Sequence, residues 1–171
     1  ERRTLPPEIR DRISLVNGDM ASFELERKFA LVILADNSFR ELETREAMLA
    51  CLRCIRRHLQ PGGRCLAVER RFDPARFADG AWASPWGTRY RNPARGDVVR
   101  RKGPARFDEC TMRLDGVMDY DVTRPDGSVT HPKLPFGAPA MLTEDYLRLF
   151  DEAGLRAHPV FDYGEREAGG D

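Results

Sequence analysis

The residues whose types and setting could do chemistry are Gly18-Asp19-Met20 and the run Ala35-Asp36-Asn37-Ser38. Each group follows a short apolar segment, Ile13-Ser14-Leu15-Val16 in the first case and Phe29-Ala30-Leu31-Val32-Ile33-Leu34 in the second. Small and polar residues just past a strand lie where open parallel sheets hold ligands, in the crevice beyond the carboxyl ends of the strands. Gly18 permits the turn that lets Asp19 project there. An ordinary strand–loop junction would carry the same residues, so the elements around them decide the weighting.

Those elements follow in a regular order. Residues 1–12, charged and carrying Pro6-Pro7, read as a helix end running into a loop, and Ile13–Val16 as a short strand. The unbroken apolar run Phe29–Leu34 is too short for a typical helix and predicts a strand buried on both faces. A helix is expected from about Thr44 to Leu59, because Met48, Leu52, Ile55 and Leu59 are spaced four, three and four and share one face. Gln60-Pro61-Gly62-Gly63 ends it, and Cys65–Val68 forms another strand ending in Glu69. Strand, turn, strand, helix, turn, strand is the grammar of a parallel α/β sheet.

From about residue 70 the grammar changes. Residues 72–106 read as a long irregular excursion, rich in Arg, Pro, Gly and Trp. Residues 107–123 alternate around Asp115-Gly116, which predicts a hairpin with an Asp-Gly turn. Pro125-Asp126-Gly127 turns the chain into a strand around 128–131. Thr143 is the expected cap of a last helix with Tyr146, Leu147 and Phe150 inward and Gly154 at its stop. Residues Ala157 to Tyr163 form a final strand candidate, interrupted by Pro159.

The totals narrow the function. The chain has 171 residues, enough for one domain with a real core, and its 28 basic and 28 acidic residues balance. That balance argues against a general polyanion binder. No apolar run approaches a bilayer span, Glu-Arg-Arg-Thr is no signal peptide, and scattered cysteines fit a reducing, cytoplasmic setting. Cys51 and Cys54 have metal-ligand spacing, yet neither a second pair nor a nearby His completes four ligands, so no metal is expected. His58, His131 and His158 show no ligand pattern. Arg89, Arg91, Arg95, Arg100, Arg101, Lys102 and Arg106, interleaved with Trp86 and Tyr90, define a competing nucleic-acid reading; a solvated loop explains them as well.

Gly18-Asp19-Met20, Phe29–Ser38, Leu59-Gln60-Pro61-Gly62-Gly63 and Glu152-Ala153-Gly154-Leu155, in this order and spacing, resemble class I S-adenosylmethionine-dependent methyltransferases. Asn37-Ser38-Phe39 is most similar to the glycine N-methyltransferase-like, small-molecule branch. The resemblance covers residues 10–70 and, more loosely, 140–163. It implies an α/β fold with a Rossmann-like, mainly parallel sheet, the core being residues 1–70 and 140–163 of a single domain. Residues 71–139 would be an inserted antiparallel hairpin lid that selects the acceptor. The implied cofactor is S-adenosylmethionine. Asp19 would meet its adenine amine, Met20 would hold the ring, and Ala35, Asp36, Asn37 and Ser38 would lie beside its methionine part. A carboxylate and a thioether suit the first two roles. Asp36 is the catalytic candidate, as proton acceptor from an amine. Trp82, Trp86 and Tyr90 are the substrate-binding candidates.

Two family features are absent. No two glycines stand as G-x-G, and nothing matches the acidic residue that grips the cofactor ribose. The first two strands of the family sheet therefore have no counterpart, and the chain reads as a fragment cut at both ends and inactive alone. The alternatives are a non-catalytic remnant or a module whose sheet a partner completes, including a second copy.

Overall fold

The computed structural model describes residues 5–69, 72–77, 81–83 and 89–160. A short helix α1 (Pro7–Arg10) leads into an extended segment, and strand β1 (Phe29–Leu34) pairs in parallel with β2 (Leu59–Ala67) across helix α2 (Arg45–His58). Thr44 caps α2, its hydroxyl accepting from the Ala47 amide at 3.2 Å. The register runs Leu31↔Arg64, Ile33↔Leu66 and Leu34↔Ala67, with an irregularity just after Phe29. Gly63 sits in that irregularity, where a Cβ would lie 3.0 Å from both the Gln60 and Phe29 carbonyl oxygens.

The core is the apolar face of α2. Met48, Leu52, Ile55 and Leu59 are buried as the spacing predicts, joined by Leu49, Cys51, Leu34, Phe39 and Leu42. Helix α3 (Thr143–Glu152) closes the cluster through Leu149, with Ala153 just beyond it. Leu149 is the fully buried residue of α3, while the expected Tyr146, Leu147 and Phe150 are half-buried. Nor is Thr143 the cap: it is the first helical residue, and Asp145 accepts from the Leu142 amide at 3.1 Å. Arg45 and Glu152 pair across the two helices. Gly154 ends α3 at φ +74°, as expected.

Buried His58 ties the preceding connection to α2. Its Nδ1 donates to the Cys54 carbonyl at 2.7 Å, which leaves Nε2 to accept from the Leu25 amide at 2.9 Å. Cys54 Sγ donates to the Ala21 carbonyl at 3.3 Å. These bonds seat residues 21–25, and with them the Gly18–Met20 turn, against the helix.

Several expectations are corrected. Ile13–Val16 forms no strand, and Leu15 is 75% exposed, because no neighbouring strand among the described residues pairs with it. Strand β1 is buried on one face only. Val32 and Leu34 pack on the core, but Leu31 and Ile33 are 51% and 55% exposed, and Leu66 on β2 and Val68 just past its end are exposed as well. Residues 157–160 form no strand, and 161–163 lie outside the described residues.

The lid is a seven-stranded antiparallel sheet rather than a single hairpin. Its strands are β3 (Ala81–Ala83), β4 (Tyr90–Arg91), β5 (Val98–Lys102), β6 (Pro104–Asp108), β7 (Arg113–Thr123), β8 (Val129–Thr130) and β9 (Lys133–Pro139). Long β7 is the axis, pairing with β5 and β6 and also with β8 and β9. Much of the supposed irregular excursion thus belongs to the sheet. Asp115-Gly116 is no turn. It lies inside β7, and the chain reverses at 109–112, where Asp108 accepts from the amides of Cys110 and Thr111 at 2.9 and 3.3 Å. Gly116 is needed for space: a Cβ there would lie 2.3 Å from the Pro104 oxygen and 2.6 Å from the Phe136 ring. The Pro125-Asp126-Gly127 turn forms as expected, with Gly127 at φ +83°.

The bare face makes a testable contrast. Leu52→Ala, which empties a fully buried site, should cost about 2–5 kcal/mol. Ile33→Thr, on the exposed face of β1, should change stability by less than about 0.5 kcal/mol. Urea titration of both variants measures the difference, and equal losses would mean that the outer face is covered.

Candidate functional site

The carboxyl ends of β1 and β2 are locked together at the backbone. The Val68 amide donates to the Leu34 carbonyl at 2.8 Å, and the Val68 carbonyl accepts from the Asn37 amide at 3.0 Å. Between those two bonds the chain must turn sharply, and Asp36 and Asn37 both adopt positive φ, 54° and 59°. Residues with a β-carbon pay for that conformation, and such strain is concentrated at functional loops. Ser38 then opens a 3-10 turn, Ser38–Glu41, through its amide bond to Ala35 at 3.0 Å. Ala35 and Asp36 are exposed, while Asn37 and Ser38 are half-buried. The four predicted residues therefore form one contiguous, strained, partly open loop.

Asp19 and Met20 open a separate turn, closed by the Ser22 amide on the Asp19 carbonyl at 3.2 Å, with Gly18 just before it. One Asp19 oxygen accepts from the Ala21 amide at 2.8 Å, and the other lies 3.4 Å from the Ser22 hydroxyl. The exposed carboxylate keeps lone pairs for a ligand donor. Met20 packs partly against the core cluster. Gly18 has a negative or extended φ and open space at its Cβ position, so the turn does not demand glycine.

The aromatic candidates are not gathered. Trp82 lies on β3 opposite Ala105, and Tyr90 on β4 opposite Val99. Six residues of β5–β6 separate those registers, about 20 Å at strand rise. Trp86 lies outside the described residues. The basic stretch is divided as well, since alternation along β5 sends Arg100 and Arg101 to opposite faces. Cys51 and Cys54 are inside the core, and burial pushes the Cys51 thiol up to about 12.

Sequence reasoning gave no role to the group behind the loop. Glu69, the residue after Val68, turns its carboxylate under the 3-10 turn. Both oxygens are buried and, among the described residues, neither has a partner in hydrogen-bond geometry. Burial drives its pKa up to about 7, with the Arg40 guanidinium and the Phe39 backbone pulling it down in part. Arg40, on the turn, donates from Nη2 to the Pro139 carbonyl of β9 at 3.1 Å. Tyr146 approaches from α3, its hydroxyl pushed up to about 12 by burial and then by the Glu69 charge. The signal was available: a lone acid at the carboxyl end of an apolar strand is the rule that singled out Asp36.

No family model matches the chain. Its sequence is 39% identical over 152 residues to the dTDP-3-amino-3,4,6-trideoxy-alpha-D-glucopyranose N,N-dimethyltransferase of Streptomyces venezuelae, covering 84% of this chain and 57% of that protein. The dTDP-3-amino-3,6-dideoxy-alpha-D-glucopyranose N,N-dimethyltransferase of Streptomyces fradiae is 30% identical over 141 residues, 82% of this chain and 52% of that one. Among solved structures, Streptomyces venezuelae DesVI superposes with a TM-score of 0.70 at 29% identity, covering 86% of this chain and 61% of that one. Cofactor-bound CalS10, an amino pentose methyltransferase from Micromonospora echinaspora, gives 0.62 at 25% identity over 80% and 54%. The chain is a relative of the class I S-adenosylmethionine-dependent methyltransferases. It spans about half the length of the curated relatives it matches. The Rossmann-like α/β class expected from the resemblance stands, with an antiparallel sheet beside the parallel pair. Among the described residues no helix is long and apolar enough to cross a membrane.

Glu69 yields a pH prediction. Its folded pKa lies above the unfolded value near 4.5, so the folded state holds the proton more tightly, and stability falls as pH rises from about 4.5 through 7. Glu69→Gln should remove that loss, leaving the variant more stable than the parent at pH 8 by on the order of 1 kcal/mol after solvent screening. Thermal melts at pH 5 and pH 8 measure it; a parent and variant that differ equally at both values would place Glu69 in solvent.

Proposed function

We propose that this chain forms the adenine-facing and acceptor-facing part of a methyltransferase that uses S-adenosylmethionine to methylate the amine of a nucleotide-linked amino sugar. The observation that carries the reading is the 39% identity, over 84% of the chain, to a protein named for that reaction. The strained loop Ala35–Ser38 and the free lone pairs of Asp19 support it, because they supply the two contacts that the resemblance places on this part of the fold.

These residues fit one wall of a cofactor site. The Asp19 carboxylate would accept from an exocyclic amine beside Met20, and the Ala35–Ser38 backbone would hold the amino-acid end. The cofactor supplies an electrophilic methyl on sulfonium. A sugar ammonium must give up a proton before its nitrogen lone pair can attack, and the exposed Asp36 carboxylate would take it. Positioning of the two reactants supplies much of the remaining acceleration. Trp82, on β3, and Trp86, outside the described residues, would be acceptor contacts; Tyr90, about 20 Å along the sheet from Trp82, would touch a different part of a long acceptor or none.

The open edge of β1 and the bare face of Leu31, Ile33, Leu66 and Val68 favour a second reading of the assembly, in which another segment or chain completes the sheet. Both readings make the 171 residues alone inactive, since no G-x-G loop is present to approach the cofactor closely.

A chimera tests the function. The amino-terminal portion of the Streptomyces venezuelae relative is joined ahead of residue 1 and assayed with S-adenosylmethionine and a dTDP-3-amino-deoxyglucose. Mass spectrometry should show addition of one and two methyl groups, and Asp19→Ala should weaken cofactor binding by about 1–3 kcal/mol. A folded chimera that binds the cofactor yet methylates no amino sugar would contradict the acceptor class. Methyl transfer by the 171-residue chain alone would contradict the placement of its first residues.

A further inference from the structure

Arg40 joins the two halves of the molecule at the candidate site. It stands two residues beyond Ser38, on the turn that leaves the strained loop, and its Nη2 donates to the Pro139 carbonyl at the end of β9. The next lid amide, Ala140, is itself buried and donates to the Met112 carbonyl at 2.8 Å. The strand held by Arg40 is thus the one that pairs with β7, the axis of the lid. On its other side the Arg40 Nε is buried without a hydrogen-bond partner among the described residues, and so are both oxygens of Glu69. Arg40 and Glu69 do not pair directly in this structure, yet the Arg40 charge is felt at the Glu69 carboxyl, and a buried, unbonded Nε donor and a buried carboxyl are complementary.

We propose that Arg40 and Glu69 are positioning residues that set the lid over the loop Ala35–Ser38: ionised Glu69 draws the unbonded Nε edge of the guanidinium toward it, and Arg40 holds β9 through Nη2. The arrangement rests on the methyl-transfer reading for its purpose but not for its existence. A guanidinium has donors on separate edges, so engagement of Nε by a carboxylate leaves Nη2 free for Pro139. The charged and titratable groups facing Glu69 among the described residues are Arg40 from the turn and Tyr146 from α3, with Asp145 beside Tyr146. Tyr146 is kept neutral by its surroundings, so it adds no opposing charge. Ionised Glu69 should therefore tighten the hold of Arg40 on the lid, even though taking that charge out of water costs the whole fold some stability.

The test has two arms. In the 171-residue chain, exchange of the Ala140 amide, corrected for its intrinsic rate, is followed by NMR at pH 6 and pH 8. Protection in the parent should rise about three- to tenfold between them, the change expected when a buried donor gains a charged partner. Glu69→Gln should flatten that rise, and Arg40→Lys, which keeps the charge but not the forked donors, should lower protection at pH 8. Amides of α2 should not follow either change. In the chimera, Glu69→Gln and Arg40→Lys should raise the acceptor KM severalfold with cofactor affinity unchanged. Parent protection that is flat with pH, or a rise that survives Glu69→Gln, would overturn the proposal. A chimera inactive on amino sugars would count against the acceptor class alone, because the exchange arm does not depend on it.

Discussion

The parallel pairing of β1 with β2 is the constraint on which the rest depends. Its backbone bonds bring two strands, 25 residues apart at Leu34 and Leu59 by numbering, to a common carboxyl end, and α2 lies across them as the connection. Parallel neighbours need such a crossover, and the crossover buries only the face it covers. One face of the pair therefore belongs to the core. The Val68 bonds to Leu34 and Asn37 then close the carboxyl end so tightly that Asp36 and Asn37 take positive φ. The strain of the loop is a consequence of the pairing rather than a separate device.

Each functional element hangs from that closed end. Ala35–Ser38 are on the loop itself, Glu69 is the residue after the clamp, and Arg40 is on the turn that follows. The Asp19 turn is held more indirectly, through His58 and Cys54 on α2. The lid reaches the same place from the other direction, through Pro139 and the Arg40 donor. A cluster of Phe72, Phe77 and Phe107, with Phe72–Phe107 centroids 4.8 Å apart, anchors its other margin. On the proposed reading, cofactor wall, acceptor cover and proton acceptor would all be placed by one short stretch of backbone, which suits a reaction that depends mainly on bringing two reactants into line.

Much of this was legible in the residues. Phe29–Leu34 and the helix face of Met48, Leu52 and Ile55 follow from length and spacing, and the turn at Gly127 from its dipeptide. What was misread has physical causes. Ile13–Val16 has strand composition, but a strand exists only when something pairs with it, and pairing is not written in the segment. Phe29–Leu34 suggested two buried faces because composition reports what a strand could bury, not what is present to cover it. Asp115-Gly116 looked like a turn because a glycine needed for close approach of Phe136 is indistinguishable in sequence from one needed for conformation. The Thr143 cap lost to Asp145, which reaches back to the Leu142 amide. Glu69 was passed over although it obeys the rule applied to Asp36; its burial arises only in the fold, where Arg40 and Tyr146, remote in sequence, come near it. The methyltransferase resemblance rested on ordered motifs instead of any one of them, and similarity in both sequence and structure upholds it.

The central claim is that the carboxyl ends of this strand pair form a cofactor wall. The direct measurement is an NMR titration of the isotopically labelled chain with S-adenosylhomocysteine, with the chimera as the higher-affinity form. The account predicts amide shifts concentrated at Asp19, Met20 and Ala35 to Ser38, weak in the chain and saturable in the chimera. Saturable shifts confined to the lid strands, or a folded chimera with none at these residues, would contradict it.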